Sequence, residues 1–178
     1  MPTRKLMIYV HLVIAAVFLP LMLIMPLTGV AYLLGFKGDQ EKIEAFRVQA
    51  QVPEEMAAQE AFFRELFQQQ GIDFDFEYIR GSKTDFIFRP ATRVHYVAAK
   101  DGETLIVSKV TPTILKRLIE LHKGHGPTLM RLYEIFFGIA LILVTLSGLW
   151  LAWTVKPYRK ATLISFGVGV LVIAACLF

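Results

Sequence analysis

The sequence predicts a membrane α-helical protein, with three transmembrane helices and an extracytoplasmic α+β domain inserted between the first and the second. Three observations carry that prediction. Of 178 residues, 55% are hydrophobic, and the mean hydropathy of +0.52 is too high for a chain that must keep an aqueous surface. The apolar excess is concentrated in three runs rather than spread. Between the first two lies a polar insert, Lys37 to Arg131, in which 14 Lys/Arg balance 14 Asp/Glu, the mark of a folded domain rather than a charged tail.

The stretch from Leu121 to Trp153 organises the chain, because there a polar segment with two histidines runs into an apolar helix. Leu132 to Trp153 is 22 residues with a single acid, Glu134, at its start, and roughly 20 apolar residues cross about 30 Å of hydrocarbon. The first run, Leu6 to Phe36, follows the basic pair Arg4 and Lys5. A cleavable signal has a shorter apolar core and a small-residue cleavage site, whereas GVAYLLGF ends this run with bulky groups, so a retained anchor is expected. Pro20 and Pro26 inside it each remove a helical hydrogen bond, which predicts a kink. The third run, 162–178, follows a basic turn at 155–161 and is just long enough to span. Short-loop positive charge marks the cytoplasmic side. Arg4 and Lys5 therefore share that side with Lys156, Arg159 and Lys160, leaving the insert outside the cell's inner (plasma) membrane.

The expected organisation is thus a tail and first helix over 1–36, an outside domain over 37–126, a second helix over 127–154, a loop over 155–161 and a third helix over 162–178. Within the domain, Met56, Phe63, Leu66 and Phe67 recur at helical spacing in Pro53 to Gln70, with Gly71 as the stop. Ile72, Phe74, Phe76 and Tyr78 alternate with Asp73, Asp75 and Glu77, the period of a strand with one wet face. Further strands are expected at Thr84 to Phe88, Val94 to Ala98 and Thr104 to Val110, the last two joined through Asp101-Gly102. Thr111-Pro112 reads as the cap and first position of a helix whose apolar side is Ile114, Leu115, Leu118 and Ile119. Ile43 to Val52 fits helix or strand equally.

The motifs resemble the PepSY-associated transmembrane family. A span ending in Leu27-Thr28-Gly29 precedes the outside module. A Leu-His pair and a glycine-rich turn then lead to a span carrying Leu146-Ser-Gly-Leu-Trp150. The resemblance covers nearly the whole chain and implies a helix packed on a small antiparallel sheet. Some larger relatives are haem-containing reductases that help release iron from siderophores; others are anchored modules without known chemistry. This chain is shorter than the reductases and has fewer intramembrane histidines.

Three histidines are candidate haem or metal ligands. His11 lies about one and a half turns inside the first span, where an ionisable group is costly and its neutral imidazole suits haem b; its bland alternative is a hydrogen bond across helices, with Ser147 at the same depth. His122 and His125 are spaced i, i+3 and share a side if the helix persists between them. His11 and His122 fall near opposite membrane faces, so one haem cannot take both from one chain. His95 is expected to face solvent beside Arg93, and Arg131 to pair with Glu134. Thr28-Gly29 and Ser147-Gly148 are sites of close helix approach. Cys176 is the single cysteine, no serine or cysteine sits in a triad motif, and no catalytic residue is assigned.

Two functions remain open. The first is an accessory or interaction subunit that acts through the outside domain on membrane or periplasmic proteins or on a second copy, with the lipid bilayer as its setting. The alternative is a b-type haem electron-transfer protein. The net charge of +4 comes with no basic run or aromatic-basic stripe, so nucleic acid is not an expected partner.

Overall fold

The computed structural model describes residues 2–178, with side chains from residue 4 onward. Three helices are long and apolar enough to cross a membrane. They are α1 (Pro2–Leu33), α4 (Thr128–Thr154) and α5 (Lys156–Leu177). Between α1 and α4 in sequence lie β1 (Gln40–Gln49), α2 (Met56–Gln69), β2 (Tyr78–Gly81), β3 (Asp85–Arg89), β4 (His95–Asp101), β5 (Thr104–Pro112) and α3 (Ile114–His122). The chain divides into two compact units, one of residues 1–22 with 135–178 and one of residues 23–134.

In the first unit the long helices meet through few side chains. Leu21 of α1 and Phe137 and Ala140 of α4 are buried, and the Phe18 and Phe137 rings lie 6.0 Å apart. No residue of α5 is buried, so its apolar surface is available to lipid, as a membrane helix requires. The loop expected over 155–161 shrinks to Val155, and Lys156 already begins α5. The physical reason is Pro157, which sits in the first turn, where its missing N–H costs no helical bond. Along α1, Pro20 and Pro26 lie inside one continuous helix.

The second unit is built on a five-stranded antiparallel sheet of order β1-β5-β4-β3-β2. Phe63, Leu66 and Phe67 of α2 are buried with Phe76, Phe86, Phe88, Leu105 and Val107. Phe63 meets Phe88 edge-on at 4.8 Å and Phe67 meets Phe88 at 5.2 Å, so aromatic contacts dominate a core too small to rely on aliphatic volume. The ambiguous stretch at 43–52 falls mainly in β1, which pairs with β5 through a register shift between Glu44 and Phe46.

Two expected elements differ. Residues 72–77 form no ladder; only Tyr78–Gly81 pairs, with β3. Their alternation arises because Phe74 and Phe76 reach the rings of Phe67 and Phe88, at 5.3 and 5.1 Å, from an unpaired extended segment. The cap of α3 is Thr113 rather than Thr111, since β5 continues through Pro112 at the position opposite Gln40. Thr113 Oγ1 accepts from the Lys116 N–H and donates to the Asp39 carbonyl, so one side chain closes the helix and ties down the entry to β1.

Candidate functional site

His11 and Ser147 are brought together by α1 and α4, Nδ1 to Oγ at 2.8 Å. The serine hydroxyl donates to the Val144 carbonyl at 3.0 Å. With the hydroxyl proton assigned to that carbonyl, Oγ accepts from His11 Nδ1–H and Nε2 is left as an acceptor; a hydroxyl turned to the ring reverses the roles. Gly148 lies beside the ring, where a Cβ would make an ordinary van der Waals contact with His11 Cε1 at 3.7 Å. The pair faces an apolar cleft of about 430 Å³ that includes Ile14, Leu143, Leu146 and Trp150.

His122 repeats the arrangement in the second unit. Its Nδ1 lies 3.0 Å from Thr28 Oγ1, and that hydroxyl donates back to the Ile24 carbonyl at 2.7 Å. The same proton assignment makes Nδ1 the donor and leaves Nε2 as an acceptor. Gly29 lies against the ring, where a Cβ would sit 3.4 Å from Cε1, at the near edge of ordinary contact. Ser147 and Thr28 therefore each hold a histidine through a hydroxyl.

His125 takes a different course. The helix ends at His122, and Gly124 at φ +70° turns the chain, so the i, i+3 pair does not share a side. His125 Nδ1 lies 2.6 Å from Glu120 Oε2. That carboxylate is buried and also meets Arg89 at 3.4 Å, Lys116 at 3.3 Å and Lys123 at 3.4 Å. Burial is the largest influence and pushes its pKa up, but the His125 hydrogen bond and the charges of Lys123, Lys116 and His125 together outweigh it and hold Glu120 at about 2. The knot joins the end of β3, α3 and the turn before α4.

His95 does not face solvent. It is 4% exposed, and its Nδ1–H reaches the Arg93 carbonyl at 2.9 Å. The strand begins at His95 and turns this side chain inward, and burial lowers its pKa more than the backbone bond raises it. Arg131 lies over the Tyr78 ring at 5.5 Å and its charge also acts on Glu134, whose Oε1 has no hydrogen-bond partner among the described residues. Of the acids expected on a wet strand face, Asp75 pairs with Arg64 at 2.7 Å. Glu77 accepts from the Thr128 N–H at 2.7 Å and hydroxyl at 2.6 Å, capping the start of α4.

Sequence reasoning missed Glu120, Arg89, Glu77 and Thr113 as organising residues. Lys116, Glu120 and Lys123 stand at helical spacing and carried a readable signal; Arg89 and Glu77 reach their partners only through the fold.

A family model described as PepSY-associated TM region matches residues 2–156. No curated protein and no solved structure matches the chain.

Proposed function

We propose, from the premise that the chain belongs to the PepSY-associated transmembrane family, that this membrane protein presents its sheet domain outside the cytoplasm as an accessory or interaction subunit. One observation carries the reading. The domain is hydrogen-bonded to both helices between which it hangs, through His122 to Thr28 of α1 and through Glu77 to Thr128 of α4. The Glu120 carboxylate meets its cations within the domain. Polar chemistry is thus spent on fixing the module to its anchors. The positive residues Arg4, Lys5, Lys156, Arg159 and Lys160 support a cytoplasmic N-terminus and an extracytoplasmic domain, in the inner membrane of a two-membrane cell.

A specific observation also favours the second reading, a b-type haem electron-transfer protein. His11 and His122 each have Nδ1 anchored and Nε2 free beside an apolar cleft, in that proton assignment the tautomer and orientation of a metal-bound imidazole. His11 and His122 would each hold a haem group in its own cleft, with a further ligand to come from a partner or second copy. Haem bound there would supply one-electron transfer, and the chain's part would be to orient the imidazole and exclude water. His125, committed to Glu120, is not available in the same way.

The absorbance spectrum of the full chain from haem-replete cells separates the two. The interaction reading expects a colourless protein. A Soret band lost in His11→Ala or His122→Ala replaces it with the second.

A further inference from the structure

The end of α1 and α3 enclose a cleft of about 460 Å³, lined by Thr28, Gly29, Tyr32 and Leu33 on one side and by Ile119, His122 and Lys123 on the other. Its depth follows from helix length. The apolar stretch of α1 runs for 30 residues, Arg4–Leu33, about 45 Å at 1.5 Å per residue, against about 30 Å of hydrocarbon. Counted from Leu6, about 20 residues of span end near Met25. Thr28 to Leu33 therefore stand at the level of lipid headgroups.

Charge at the cleft is one-sided. Lys37 Nζ lies 5.3 Å and Lys123 Nζ 5.4 Å from the centroid of the same Tyr32 ring. Among the described residues Lys37 makes no ion pair, and Lys123 shares the single carboxylate of Glu120 with Arg89 and Lys116. Of the two ammoniums beside Tyr32, only Lys123 has an acid partner, Glu120, among the described residues. A zwitterionic lipid would bring its own cation against these ammoniums, and a free anion would leave the apolar walls unused.

We propose that this cleft holds one anionic phospholipid, an acyl chain against Leu33 and Ile119 and the phosphate between Lys37 and Lys123. Both contacts are then matched, apolar wall to hydrocarbon and ammonium to phosphate.

Native mass spectrometry of the full chain, released from mixed micelles of detergent with phosphatidylglycerol or phosphatidylcholine, tests this. One phosphatidylglycerol per chain should be retained about 25-fold over phosphatidylcholine, each of the two ammoniums contributing about fivefold. Lys37→Gln, which leaves the Glu120 knot intact, should cut that ratio about fivefold, and Lys37→Gln with Lys123→Gln should abolish it. Equal retention of the two lipids, or a ratio unchanged in Lys37→Gln, overturns the proposal. So does a lipid-free dimer, which would give the cleft to a second copy.

Discussion

Glu120 meets Arg89, Lys116, Lys123 and His125, and its energetics follow from burial. Glu120 is 8% exposed and its partner Arg89 7%, and Arg89 Nε already lacks a hydrogen bond. Removing the carboxylate strands a buried guanidinium, so Glu120→Ala should destabilise the domain by about 3–5 kcal/mol, read as a lowered thermal midpoint of the purified protein. Acid should lower the protein's stability over two pH ranges. The His95 imidazole is lowered by burial, so as pH drops below about 6.5 the unfolded chain takes up that proton first. The stability His95 contributes is complete above that pH and declines below it. Glu120, held at about 2 against an ordinary 4.5, contributes fully above pH 4.5, and its share is lost as pH falls toward 2. His95→Asn should remove the first decline and keep the second, measured by circular dichroism melts across pH.

The helices and strands were legible wherever one periodicity ruled. The α2 pattern and the strands around Phe86 and Val107 stand where hydrophobic spacing puts them, because one face of each is buried. The segment from Ile72 to Glu77 had the same alternation without a strand, since side-chain alternation reports which face is buried and not which backbone is paired. Ile43 to Val52 was unreadable because β1 is an edge strand with most residues exposed. His11 with Ser147 was legible from depth along two spans; His122 with Thr28 and His125 with Glu120 depended on where α3 stops, a boundary that periodicity locates least well. Turns separate two kinds of glycine. At Gly38, φ +67°, a Cβ would lie 2.4 Å from the Lys116 backbone nitrogen; at Gly102, φ +62°, it would meet open space. Gly102→Ala should therefore cost about 1 kcal/mol of backbone strain, and Gly38→Ala clearly more, compared by thermal midpoint. Glu77→Ala, which uncaps α4 at Thr128, should cost about 1 kcal/mol by the same measure.

For the molecule as a whole, three apolar helices and a family match over residues 2–156 make this a membrane protein of the PepSY-associated transmembrane family. The domain's charges nearly cancel, so the excess positive charge sits at the basic ends of the spans. Everything proposed for the domain depends on which side of the lipid it occupies. Glu103 is exposed at the β4–β5 turn, and Cys176 is the one native thiol. The direct measurement is labelling of Glu103→Cys, in a Cys176→Ser background, with a membrane-impermeant maleimide applied to cells whose outer barrier is opened and inner membrane intact. The account predicts full labelling before lysis. Labelling that appears only after the inner membrane is broken would contradict it.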